Sequence, residues 1–322
     1  MNKKVLSVFL LLILGFIMLG MGCSQKLPNR EGGDEVSATE KNGEPEFNKE
    51  KNAGELVLDA QYSMDRNDLE QALILLEKAL KKDPNNADAL FTIGVINKMK
   101  KNYDISLEYF QKALEADPKS TLSYAYMGSI YYDRGEYKKA IQEYDRVIEK
   151  VKTYPVFFNH RGLAYFMLGD QKKALENFKE AQKTDNDDVA AYDNIAFLYL
   201  FQNKYKPAVQ ELEKALNADR EFANIFETRG LLEILQGNYD KAEKDLTLAI
   251  DHNDSRVFSY YLRGIARKRI GEAENALADF EKGKKLDQEN DNEIKLVIKN
   301  IARIYSDTAP GKVFNEILTE IN

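Results

Sequence analysis

A step of 34 residues constrains this chain more than any other feature. Gly94, Gly128, Gly162, Gly230 and Gly264 fall at one phase of that step, and Ala60 and Ala196 fill the two remaining places. Twelve residues further on stand Ala72, Ala140, Ala174, Ala208, Ala242 and Ala276, with Ser106 as the departure. A fixed period of this length belongs to arrays of one supersecondary unit, which covers its apolar face only by stacking on neighbours. The clearest copy holds SYAYMGSIYYDRGEYKKAIQEYDRVI. Tyr124, Gly128 and Tyr131, at i, i+4 and i+7, mark the stripe of one helix, and Ala140, Tyr144 and Val147 mark a second. Between them lie Arg134, Gly135 and Glu136, where glycine tolerates the positive φ of a tight turn. Gly128 and Ala140 let two helix backbones approach closely, so a large side chain there would overpack the contact at a cost of ~1–3 kcal/mol. These residues read as core, not chemistry.

The pattern resembles the tetratricopeptide repeat, with copies at 53–86, 87–120, 121–154, 155–188, 189–222, 223–256 and 257–290. The resemblance implies an all-α fold, a right-handed α-solenoid of seven helix-turn-helix units. It also implies a scaffold that holds a protein or peptide partner in its concave groove. Pro84 and Pro118 close the first two copies, and Asp and Asn clusters close later ones. After 290 the match fails. Ile294, Val297, Ile298 and Ile301 continue an apolar stripe, with Asp291, Glu293, Lys295 and Lys299 on the other side. A terminal repeat needs a cap with a polar outer face, so 291–305 is expected to cap repeat seven. Residues 310–321 are expected to add a short helix, making 291–322 a capping helix and tail.

The N-terminal region has a different character. Lys3 and Lys4 precede a nearly unbroken apolar run from Val5 to Met21, which closes on Gly20-Met21-Gly22-Cys23. A short apolar segment behind basic residues reads as a secretory signal. With the sole cysteine of the protein at its end, it resembles the bacterial lipoprotein signal. Residues 1–22 would then be the signal peptide and Cys23 the lipidated residue. Gly20 departs from the aliphatic residue usual three before that cysteine, and an uncleaved anchor or a plain secretory signal remains open. Each alternative exports the rest of the chain, and the lipid form places it at the cell membrane, facing outside the cytoplasm. Residues 23–52, rich in Gly, Pro, Glu, Lys and Asn, cannot bury enough surface to offset ordering entropy and are expected to form a disordered tether.

Composition excludes several functions. The net charge is −7 and the pI about 5.3, without the basic stripe that nucleic-acid binding requires. His160 and His252 occupy different repeat phases without a cysteine beside them, so no metal site is expected. No glycine-rich loop ends in Gly-Lys-Ser or Gly-Lys-Thr, so no phosphate cradle and no cofactor are expected. The acidic clusters at 185–188 and 287–293 lack the glycine and bidentate glutamate of a calcium loop and read as helix caps. No catalytic residue emerges, and the chain is not expected to be an enzyme.

Two patterns remain. Arg161, Arg229 and Arg263 take a core-facing position, and sixteen residues later stand Asn177, Asp245 and Asp279, which predicts the pairs Arg229–Asp245 and Arg263–Asp279. Beside the core stripe of each first helix runs a second stripe, turned by about 100°. By resemblance to the family, this stripe lines the concave groove. In repeats four to six it reads Asn159, Leu163, Phe166; Asp193, Phe197, Leu200; and Glu227, Leu231, Ile234. These nine residues are the candidate partner-binding groove, although packing between stacked repeats accounts for the apolar ones as well. Positions that grip a C-terminal carboxylate in the family hold Val57, Gln61, Phe91 and Val95 here, which argues against that ligand. The reading reached is an exported, membrane-tethered scaffold assisting assembly of an envelope complex. A holdase-like chaperone for exported chains is the alternative, and a regulatory subunit of an enzyme is a third reading.

Overall fold

A computed structural model describes residues 50–290 and 292–322, so Cys23 and residues 1–49 lie outside the described residues. Each of the seven repeats forms two helices. Repeats one and two give α1 (Ala53–Asp65), α2 (Leu69–Lys82), α3 (Ala87–Met99) and α4 (Tyr103–Ala116). Repeats three and four give α5 (Thr121–Asp133), α6 (Tyr137–Lys150), α7 (Pro155–Met167) and α8 (Gln171–Thr184). Repeats five to seven give α9 (Val189–Phe201), α10 (Tyr205–Ala218), α11 (Ala223–Leu235), α12 (Tyr239–His252), α13 (Val257–Ile270) and α14 (Ala273–Gln288). Two further helices follow, α15 (Glu293–Ile304) and α16 (Ala309–Ile321). No strand occurs among the described residues. The architecture is an all-α repeat solenoid.

Helix starts follow the sequence. Asn52, Asp68, Asn86, Asp170 and Asp188 each accept a backbone N–H of the first turn. Asn52 completes a capping box with Glu55, so the last residue assigned to the tether already belongs to α1. Each repeat turns at the same position in left-handed backbone: Asn67, Lys101, Gly135, Gly169, Asn203, Gly237 and Gly271 all have φ between 55° and 90°.

The chain divides into two compact units, and the division falls within α5, between Tyr126 and Met127. The first unit packs Leu56, Val57, Ala60, Leu76, Ala79, Ile93 and Ile96 into one core. In it Ser106 replaces the usual alanine and donates a 2.6 Å hydrogen bond to the Gly94 carbonyl, so its hydroxyl is satisfied by the facing helix. The second unit has a continuous core from Tyr132 to Ile321 that includes residues of α15 and α16.

Both predicted arginine pairs form. Arg229 reaches Asp245 through two bonds of 2.8 and 2.6 Å, and Arg263 reaches Asp279 at 2.9 and 2.8 Å. Arg161 donates to Asn177, sixteen residues ahead, at 2.7 Å, and to Asp145, sixteen behind, at 2.5 Å. Arg263 likewise reaches back sixteen residues to Thr247 at 3.1 Å. Arg161 and Arg263 therefore tie repeats four and seven to the repeats before them.

Gly237 isolates the backbone requirement of the turn, because a Cβ there would meet nothing within 4 Å while φ is +79°. Gly237→Ala should cost about 1 kcal/mol through left-handed backbone alone. Gly237→Asn should cost less, since Asn203 already holds the equivalent turn at φ 55°. Urea midpoints of the two variants check the ordering.

Candidate functional site

The nine candidate groove residues occupy α7, α9 and α11, and every one is buried. Leu163, Phe166, Phe197, Leu200, Leu231 and Ile234 join a single apolar cluster with Ile294, Val297, Ile298, Ile301, Tyr305, Phe314 and Ile317. The C-terminal helices cover them. α15 touches α7, and α16 touches α9, α11 and α13, the first helices of repeats five, six and seven. The segment expected to cap repeat seven touches both of its helices, α13 and α14, and reaches earlier repeats as well. The segment is a helical hairpin laid back across the first helices of repeats four to seven.

Aromatic contacts fix this seat. The Tyr305 ring stacks on Phe166 with centroids 4.7 Å apart and 19° between planes, and its hydroxyl donates to the Phe166 carbonyl at 2.7 Å. Phe201 packs edgewise against Tyr305 at 4.8 Å, and Phe314 stacks on Phe258 at 5.0 Å. Such pairs add about 0.5–1.5 kcal/mol each beyond the area they bury. Burial of the Tyr305 hydroxyl raises its pKa above the ordinary tyrosine range. The α15–α16 turn is equally specific. Thr308 caps α16 by accepting from the Gly311 amide at 3.1 Å, and a Cβ on Gly311 would stand 1.8 Å from the Tyr305 carbonyl oxygen. At the other end, buried Asp287 accepts the amides of Ile294 and Lys295 at 2.9 and 3.1 Å and so begins α15.

Two of the three polar members of the stripe, Asn159 and Glu227, bond residues 29 positions ahead. Asn159 donates to Asp188 at 2.6 Å, and Glu227 accepts from Arg256 at 2.5 and 3.1 Å. Asp188 and Arg256 are each the last residue of their repeat, so both bonds tie the first helix to the start of the next repeat. Arg256 is 1% exposed and Glu227 is fully buried. Arg256 also donates to Asn224 at 2.7 Å and to Ser259, whose hydroxyl bonds Glu227. Sequence reasoning missed Arg256, although the spacing of 29 from Glu227 was a usable signal. In repeat five the partner position of Asp193 holds Phe222. Neither Asp193 carboxyl oxygen has a hydrogen-bond partner among the described residues. Burial pushes the Asp193 carboxyl up to about 7, against the opposing pull of the nearby Thr228 hydroxyl and of Arg256, and burial pushes Asp188 up to about 6.

Among the described residues no cluster of His, Cys, Asp and Glu could hold a metal ion. No described helix is long and apolar enough to cross a membrane.

Tetratricopeptide-repeat profiles match residues 59–121, 109–142, 128–169, 189–222 and 259–290, so the chain carries tetratricopeptide repeats. A comparison with curated proteins found no match. Among solved structures, the chain is similar to a tetratricopeptide repeat protein from Parabacteroides merdae ATCC 43184. The TM-score is 0.64 and the identity 22%, over 76% of this chain and 98% of that one. It is also similar to PilF of Pseudomonas aeruginosa, with TM-score 0.53 and 19% identity over 64% and 94% of the two chains. The APC/C hetero-tetramer Cut9–Hcn1 matches with TM-score 0.57 and 17% identity, over 67% of this chain and 43% of that one. At these identities the likeness concerns the fold.

Two outcomes follow for the polar stripe. Asp193 is protonated when folded and ionised when unfolded between about pH 4 and about pH 7, so stability should fall as pH rises through that window and level off above it. Asp193→Asn should remove that part of the decline, read from urea midpoints across the window. Glu227→Gln leaves Arg256 buried without its counter-ion and should cost about 3–5 kcal/mol, read as earlier melting.

Proposed function

We propose that this chain is a protein-interaction scaffold, exported and tethered to the membrane through Cys23, that assists assembly of an envelope complex. Tetratricopeptide repeats generally bind protein or peptide partners and are generally non-enzymatic, which is the coarse part of this reading. One observation carries it further. The first-helix face of repeats four to seven already receives a folded helical segment, α15–α16, through apolar and aromatic contacts. A face that accepts helices within its own chain has the shape and chemistry for helix recognition.

The tether supports the exported part of the reading. Lys3 and Lys4, the apolar run to Met21 and the lone Cys23 have the order of a lipoprotein signal. A holdase-like chaperone needs accessible apolar surface, and the apolar floor of this face is covered.

Cross-linking in the source membrane followed by mass spectrometry of the captured chain tests the proposal. A scaffold should return one or two partners in near-stoichiometric amounts, whereas many substoichiometric chains would favour the holdase. Cys23→Ala should abolish lipid labelling and leave a precursor of higher mass. Membrane-bound protein with an unmodified Cys23 would refute the lipid anchor.

A further inference from the structure

We infer that α15–α16 is an exchangeable occupant of the face formed by α7, α9, α11 and α13. The incoming partner would be an amphipathic helix with aromatic and branched aliphatic residues on one side and an acidic pair at its edge. This inference rests on the scaffold reading and specifies its ligand.

The occupant itself displays the chemistry the face selects. Phe314, Ile317 and Ile321 of α16 are buried against the repeats. On the edge of α16, Glu316 and Glu320 stand four residues apart. They meet Arg269 and Lys268, at the basic C-terminal end of α13, at 2.7 and 2.5 Å. Cationic side chains in the last turn also complement the helix dipole there. An acidic edge therefore fixes the direction in which a helix lies on this face.

The contacts separate into two kinds. The paired helices of a repeat meet across sixteen residues, as at Gly162 and Phe178, whereas the hairpin reaches its seat from far along the chain. Tyr305 meets Phe166 across 139 residues of sequence. The Lys268 and Arg269 pairs are partly exposed, with basic side chains 49% accessible, and so add little affinity. Removal of the hairpin would leave a contiguous apolar strip, Leu163, Phe166, Phe197, Leu200 and Leu231, which is the type of surface that marks an interaction site. A second copy would bring a chain of the same net charge, −7, which disfavours self-association.

The test uses the full chain and a fluorescent peptide of residues 306–322. Phe314→Ala in the chain weakens the occupant and leaves the receiving face intact. Because apparent affinity scales with the open fraction of the face, the peptide should bind this variant at least about tenfold tighter than the unaltered chain. Hydrogen exchange should show α16 amides opening ahead of those in α9 and α11. A peptide carrying Phe314→Ala should fail to bind, and one carrying Glu316→Lys and Glu320→Lys should bind several-fold more weakly at low salt. If Phe314→Ala yields no folded chain, Ile317→Ala serves the same purpose. The inference fails if neither variant gains affinity, or if α16 amides exchange only together with those of α9 and α11. A concentration-dependent dimer that the peptide does not dissolve would make a second copy the occupant and overturn the partner assignment. Failure here leaves the scaffold reading standing on its cross-linked partner. Absence of such a partner, with peptide exchange intact, would remove the scaffold reading alone.

Discussion

The repeat depends on one steric arrangement, a bare backbone on the first helix facing a large side chain sixteen residues ahead on the second. At Gly94, Gly128, Gly162, Gly230 and Gly264 a Cβ would stand 2.5–2.9 Å from Phe110, Tyr144, Phe178, Leu246 and Phe280 respectively. Real Cβ atoms do not approach that closely, so the helices of each pair sit nearer than any larger residue permits. In repeats one and five the position is alanine, Ala60 and Ala196, and the residue sixteen ahead is leucine, Leu76 and Leu212. Gly230 facing Leu246 shows that glycine is kept opposite an aliphatic side chain as well. The interlocking is steric, close-packed and local, which is why it repeats with so little change.

Polar contacts then tie one repeat to the next with periods of their own. Arg161 and Arg263 each reach sixteen residues forward within the repeat and sixteen back into the preceding one. Asn159 and Glu227 each reach 29 residues ahead, to the last residue of the repeat, which immediately precedes the next first helix. Buried ion pairs such as Glu227–Arg256 are weak evidence for stability, because desolvation offsets much of the attraction. Their geometric demands are strict, however, and they fix how adjacent first helices sit. Asp193 shows the cost of breaking the pattern: with Phe222 at the partner position, its carboxyl is buried without a close hydrogen-bond partner, and burial raises its pKa to about 7.

The C-terminal hairpin changes what the second unit presents. An array of repeats without it would offer an apolar strip along its first helices. With it, Phe166, Phe201 and Phe258 are covered by Tyr305 and Phe314. Any partner using this strip competes with a segment that is covalently attached and therefore present at high effective concentration. Selectivity would then come from the difference between two similar helices, not from an open surface that accepts every apolar chain.

The sequence by itself determined the helical repeat, the turn at Gly135 and the Arg229–Asp245 and Arg263–Asp279 pairs. These depend on residues close in sequence, where helical period and fixed spacing dictate which side chains meet. It also located the second stripe of the first helices, with its apolar and polar members in register. Only the tertiary structure decided what lies against that stripe. The pairing of Tyr305 with Phe166 spans 139 residues, and no local period records it. An apolar stripe such as Ile294, Val297, Ile298 and Ile301 states that a helix must be buried on one side. It carries no information about which of several apolar surfaces will bury it, because the hydrophobic effect is non-directional. The aromatic contacts of Tyr305 and Phe314 with Phe166, Phe201 and Phe258 mark the surface that does.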